Sequence, residues 1–156
     1  MKVSTKLSTK AELKPRELRA WRAFLDAQAA VLRKLEAELT AEARMTLAEY
    51  DVLYQLRAAP SHELRMSDLS ERVRLSRSGI TRLVDRLAAD GLVERADCPS
   101  DRRGTLARLT DKGLARVEEA IPTHLRGIRD HFATQLSPDQ LDSLAAALEP
   151  LGHPVA

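Results

Sequence analysis

Apolar positions fall at helical spacing over most of this chain. After Pro15, the residues Leu18, Trp21, Leu25, Gln28, Leu32, Leu35 and Leu39 recur at three- and four-residue intervals, and Phe24 and Val31 widen the stripe. That is an amphipathic helix of about three heptads, opened by a proline at its first position. A second helix is expected from Thr46, where Thr46-Leu47-Ala48-Glu49 has the form of a capping box; it runs to about Arg57 and stops before Pro60. A third starts at Ser67 and covers Asp68 to Val73. A fourth takes Ser76 as its N-cap, with Leu75 and Ile80 placed as a hydrophobic staple, and ends at Gly91. The period then changes. Two short β-like runs, Leu92–Arg95 and Thr105–Thr110, flank a polar tip, Ala96–Gly104, as in a hairpin with a long loop. Thr110 caps a fifth helix carrying Leu114, Val117, Ile121, Leu125, Ile128 and Phe132, although Pro122 should kink or break it. Ser137-Pro138-Asp139-Gln140 opens a sixth helix with a narrow seam of Leu141, Leu144, Leu148 and Leu151.

The third helix, tight turn, fourth helix and hairpin together predict a winged helix-turn-helix. The expected fold class is mainly α with a small β-hairpin wing, flanked by long N- and C-terminal helices. At 100° per residue, Ile80, Leu83, Val84, Leu87 and Ala88 share the inner side of helix four. Ser78, Arg82, Asp85 and Arg86 point away, with Arg77 and Thr81 at the edge of that face. Arginine offers a planar fork that fits guanine O6 and N7, and serine or threonine hydroxyls reach phosphates or bases. The free amides at the helix start, Ser76–Gly79, favour a phosphate. For an isolated helix such a face is merely solvated surface; the turn before it and the wing after it favour a groove-reading helix. The wing tip adds Asp101, Arg102 and Arg103. Adjacent arginines on a protruding loop suit a narrow minor groove, and an acid two residues before Arg103 can orient it.

Charge sharpens this picture more than size does. The 156 residues carry a net charge of only +2, but residues 57–110 hold eleven arginines and no lysine, against eight acids. All five aromatic residues (Trp21, Phe24, Tyr50, Tyr54 and Phe132) lie outside that segment, which argues against reading single strands by base stacking. One cysteine excludes an internal disulfide framework or a multi-cysteine zinc site and fits a reducing cytoplasm. No apolar run has the roughly 20 residues of a membrane span, and the N-terminal stretch has no apolar core of a secretory signal. No phosphate-cradling glycine loop, nucleophile elbow or HExxH motif appears, so no cofactor and no catalysis is expected.

The run LSRSGITRLVDRLAADGLVERADCPSDRRGTLARLTDKG, residues 75–113, resembles the MarR family of bacterial transcription regulators. TRLVDRL, GLV, DRRG and LTDKG carry the resemblance, in that order and spacing, and the helical layout of residues 16–150 agrees with it. The resemblance implies a homodimer on a pseudopalindromic double-stranded DNA operator, most often a ligand-responsive repressor. Residues 1–14, with four lysines, are expected to be an N-terminal arm or part of the dimer interface, ahead of one domain at 15–156. Within that domain, 15–45 and 111–156 would be dimerisation helices and 46–110 the DNA-binding region. By matching position, Thr81, Arg82 and Arg86 would contact the major groove, with Ser76, Arg77 and Ser78 at the helix start. Arg103 would enter the minor groove beside Arg102, with Asp101 as its orienting acid. Many members bind a small phenolic or carboxylate effector between the dimer helices and the reading head. Trp21, Phe24, Tyr50 and Tyr54 sit on the two helices that would form such a cleft, although aromatics at helical spacing are also ordinary core.

Three alternatives compete with this reading. Oxidation of Cys98 on the wing would give a redox-responsive regulator, but the acids beside it raise a thiol pKa. His62, His124, His131 and His153 are scattered, and the seven-residue spacing of His124 and His131 does not make a simple helical metal site. A winged helix used only as a protein-interaction module leaves the arginines of helix four without a purpose.

Overall fold

The computed structural model describes the backbone of residues 12–73, 75–98 and 101–152, and their side chains except those of Cys98 and residues 101–103. Helix α1 (Pro15–Glu38) starts where its proline predicts, and the Lys14 amide donates to the Glu17 carboxylate at 2.7 Å. At 1.5 Å per residue its 24 residues span about 36 Å. Only Leu35 of this helix is buried, and in its N-terminal half every side chain but the half-buried Leu18 is exposed. A π-helical turn, Leu39–Ala43, then widens the coil and buries Leu39 and Ala43. Arg44 closes it in the left-handed region at φ 48°.

Helix α2 (Leu47–Ala58) has the expected capping box: the Thr46 amide donates to Glu49 Oε2 at 2.9 Å and the Glu49 amide to Thr46 Oγ1 at 3.2 Å. It buries Tyr50, Val52, Leu53 and Leu56 and forms the middle of the core. The third helix, α3 (Met66–Arg72), begins one residue earlier than expected. Its N-cap is Arg65, and the Ser67 hydroxyl donates to Asp68 instead of capping. Helix α4 (Arg77–Ala89) is capped by Ser76, whose Oγ accepts the Gly79 amide at 3.1 Å. Gly91, at φ 73°, ends it as a left-handed C′ residue.

The ribbon is larger than the sequence suggests. Strands β1 (Glu63–Arg65), β2 (Val93–Cys98) and β3 (Asp101–Leu109) form one antiparallel sheet in the order β1-β3-β2. Strand β1 was not anticipated, and residues expected in a nine-residue loop belong to the ladder. Asp97 pairs with Thr105 and Cys98 with Asp101, so three residues of β3 bulge out between those pairs. The polar tip carries no alternating apolar signal in its sequence, so nothing there marked it as strand.

Helix α5 (Asp111–His131) runs unbroken through Pro122, which is exposed, so the expected break does not occur. Two of its glycines are close-contact positions. A Cβ on Gly113 would stand 2.0 Å from the Leu92 carbonyl oxygen, and one on Gly127 would stand 2.6 Å from Leu35 Cδ2 and 2.7 Å from Glu38 Oε2. The first lets α5 pack on the start of β2; the second lets it pack on α1. Helix α6 (Pro138–Gly152) starts at its capping box, where the Ser137 amide donates to Gln140 Oε1 at 2.8 Å, and it buries no residue.

The core lies between α2, α4, the sheet and the first half of α5, with Val52, Leu53, Leu56, Leu69, Val84 and Val117 fully buried. In contrast Trp21, Phe24, Leu25, Leu32, Phe132 and Leu151 remain exposed on the long terminal helices. An apolar groove of about 560 Å³ runs between α1 and α6, lined by Phe24, Val31, Leu32, Phe132, Leu144 and Leu148 among others. No helix of the described residues is long and apolar enough to cross a membrane.

Candidate nucleic-acid interface

Helix α4 divides its side chains as the helical period predicts. Ile80, Leu83, Val84 and Leu87 are buried against the core, and Arg77, Ser78, Thr81, Arg82, Asp85 and Arg86 are exposed. Local hydrogen bonds then shape the polar face. Ser76 Oγ lies 3.3 Å from Ser78 Oγ, and the Thr81 hydroxyl donates to the Arg77 carbonyl at 2.8 Å. Arg82 donates through Nε to the Ser78 carbonyl of its own helix at 3.3 Å. Arg86 instead forms an ion pair through Nε with Glu49 of α2, at 3.2 Å.

The wing is tied to the same face by Arg95 on β2. Its Nε and Nη2 both reach Asp85 Oδ1, at 3.0 and 2.8 Å, and Nη2 donates at 3.5 Å to the Thr81 carbonyl. Asp85, which the wheel placed outward without a role, thus fixes hairpin to helix. Arg108 of β3 is held at the sheet by Glu63 at 2.8 Å and Glu94 at 3.2 Å, and those two carboxylates keep its guanidinium above the ordinary arginine range. Arginine-rich sequence therefore splits into structural and outward cations. Between the start of α4 and the hairpin lies an open cleft of about 380 Å³, lined by Arg65, Arg77, Arg95, Thr81, Gly104 and Thr105 among others, with no acid among the described lining residues. Arg65 and Arg95 are the members of this cleft that helix-wheel reasoning missed. Their signal was their sheet position, opposite the α4 start, and that becomes visible only once β1 and β2 are paired. The side chains of Asp101, Arg102, Arg103 and Cys98 lie outside the described residues, although the backbone of all four sits in the outer hairpin.

The four aromatic candidates form two pairs. Trp21 and Phe24 are 6.1 Å apart between ring centroids, and Tyr50 and Tyr54 are 5.7 Å apart. Tyr50 also lies 4.2 Å from His124 of α5. Burial pushes the Tyr50 hydroxyl up to about 12 and the His124 imidazole below its usual value. Trp21 lies fourteen residues before Leu35, the point where α1 meets α5, or about 21 Å along the helix. Within one chain the pairs therefore do not make one pocket. Among the described residues no three His, Cys, Asp or Glu side chains cluster as a metal site requires. His131 pairs with Glu38 at 2.5 Å across the α1–α5 seam.

Comparison with known proteins agrees with this arrangement. A family model described as "MarR family" matches residues 45–104. The structure of AbsC, a MarR family transcriptional regulator from Streptomyces coelicolor, is 33% identical with a TM-score of 0.84, over 91% of this chain and 95% of that one. Sco3205, a MarR family regulator of the same organism solved in complex with DNA, is 31% identical with a TM-score of 0.85, over 92% of this chain and 90% of that one. Among curated sequences, the transcriptional repressor YetL of Bacillus subtilis is 35% identical over 80 residues, 51% of this chain and 48% of its own length. The match thus spans about half of that curated relative.

Proposed function

The chain belongs to the MarR family, and on that premise we propose that it is a homodimeric transcription regulator that reads double-stranded DNA. Helix α4 enters the major groove and the β2–β3 hairpin the adjacent minor groove. The observation that carries this reading is the polar face of α4. All of its large apolar residues are spent on the core, and what remains outward is Arg, Ser and Thr together with Asp85, which is taken up by Arg95; three arginines line the cleft beside that face. Such a face offers bidentate partners to guanine and donors to phosphate, with hydroxyl groups at the helix start. Arg82 and Arg86 read base edges; Ser76, Arg77, Ser78 and Thr81 seat the backbone. Arg103, oriented by Asp101 and flanked by Arg102, reaches the minor groove.

The exposed apolar strips of α1, α5 and α6 fit the second copy. They exceed scattered surface apolarity, and they line one groove between two long helices. Repression is the sense of regulation that the name of YetL favours, and Sco3205, solved with DNA, shares the fold. The test is selection from random duplex DNA, followed by titration against salt. A two-fold symmetric motif, with affinity falling steeply as salt rises, is expected. Absence of any enriched motif would favour a protein-interaction module.

A further inference from the structure

Two arginines of the reading face are held by Nε, and they are held differently. Arg82 is held by its own helix, through the Ser78 carbonyl. Arg86 is held by another helix, through Glu49. Glu49 is well placed to be more than a surface partner. Its side chain is 18% exposed, and its carboxylate divides its two oxygens: Oε2 accepts the Thr46 amide at 2.9 Å, while Oε1 faces Arg86. The capping bond fixes the carboxylate against the backbone of α2, so that Oε1 is a preset acceptor. Arg86 itself remains 59% exposed. A guanidinium paired at Nε leaves its two terminal nitrogens unengaged, the edge that pairs with O6 and N7 of guanine. Among the described residues, no second side chain or carbonyl pairs with Arg86.

The anchor also connects to the long arm. Glu36 of α1 accepts the Leu47 amide at 2.7 Å. The first two residues of the α2 start, Thr46 and Leu47, thus give their amides to Glu49 and Glu36. The aim of Arg86 therefore follows the α1–α2 junction, whereas the aim of Arg82 follows α4 alone.

We propose that Glu49 is a specificity-determining positioning residue: it aims Arg86 at one base pair of each half-site and ties that aim to the α1–α2 junction. This rests on the duplex-reading function above and names a residue of α2 that sequence position alone would assign only to capping.

The experiment uses the full chain and the duplex recovered by selection, together with its single-base variants across one half-site. Discrimination at each position is measured for the unaltered protein, Glu49→Gln, Arg86→Ala and the double variant. Glutamine can still accept the Thr46 amide, so the capping box survives while the charge facing Arg86 is lost. The expected result is a loss of at least about fivefold in discrimination at one base pair, with the other positions unchanged. In the Arg86→Ala background, Glu49→Gln should then change nothing at that base pair. Thr46→Ala supplies the structural control: it removes the hydroxyl that accepts the Glu49 amide, lowers the melting temperature and leaves discrimination intact. If Glu49→Gln weakens all positions equally, or still acts in the Arg86→Ala background, the proposal is overturned. If the unaltered protein discriminates and Glu49→Gln matches it, the proposal fails while the DNA reading stands. If the unaltered protein shows no discrimination, both fail.

Discussion

The head of this molecule and its arms solve opposite problems with similar helices. In the head, α2 and α4 bury their apolar faces on each other, on the sheet and on the start of α5; Val52, Leu53, Leu56, Ile80 and Val84 have almost no exposure. In the arms, α1 and α6 carry stripes as regular, yet α6 buries nothing and α1 buries only Leu35. Periodicity alone does not say what covers a stripe. The difference teaches that the head closes within one chain and the arms do not; on the function proposed above, a second copy completes them. Under the same proposal the labour is divided: the head holds the groove-reading side chains, and the arms set where two heads stand.

The largest expected effect comes from breaking the arms. Leu144→Glu combined with Leu148→Glu places charge in the α1–α6 groove without touching the head core. Sedimentation should show a monomer, and affinity for the selected duplex should fall roughly a hundredfold or more, the scale of losing a linked second site. Next comes the matching lesion in the head. Leu53 is fully buried, so Leu53→Ala should cost about 2–5 kcal/mol in chemical denaturation. A smaller loss would mean that the head is not the closed unit described. Arg82→Ala is milder. It should cost about 1–3 kcal/mol of duplex affinity, concentrated at one base position, and leave the melting temperature unchanged. Uniform loss across all sequences would reduce Arg82 to a phosphate contact.

The smallest effect lies at the joint between the two regions, where His124 of α5 packs on Tyr50 of α2. Burial holds the folded imidazole below 6.5, so the unfolded chain takes up the proton first. Its contribution to stability is complete above about pH 6.5 and is lost as pH falls toward the lower folded value. Melting temperatures measured from pH 7.5 to 5.5 should decline, and His124→Phe should flatten that part of the decline.

Much of this was legible in the sequence because its cause is local. The capping boxes at Thr46 and Ser137, the Ser76 and Thr110 caps, the Gly91 stop and the inner face of α4 all depend on residues three or four apart. What escaped depends on distance or shortness. Strand β1 has three residues, too few to show alternation, and exists because β3 offers it an edge. The outer hairpin, Ala96–Gly104, carries no alternation of apolar and polar residues in the sequence, so its pairing left no apolar trace. Pro122 reads as a breaker, yet α5 passes through it with the proline outward, anchored on either side by Val117, Ala120 and Thr123 in the packed face. The partners of the reading face, Glu49 for Arg86 and Asp85 for Arg95, stand 37 and 10 residues away in sequence. The polar face of α4 is local and legible in the sequence; the partners of its arginines are visible only in the fold.

On the proposed function the arms hold two heads at a fixed separation on one duplex. This is tested most directly by moving the half-sites. Inserting about five base pairs between them turns one half-site to the opposite face of the duplex, since successive major grooves recur every 10–10.5 base pairs, roughly 34–36 Å. Affinity for that duplex should fall to that of a single half-site and recover in part when about ten base pairs are inserted. Equal affinity at every spacing would contradict the claim, because it would mean that each head binds alone and the arms measure nothing.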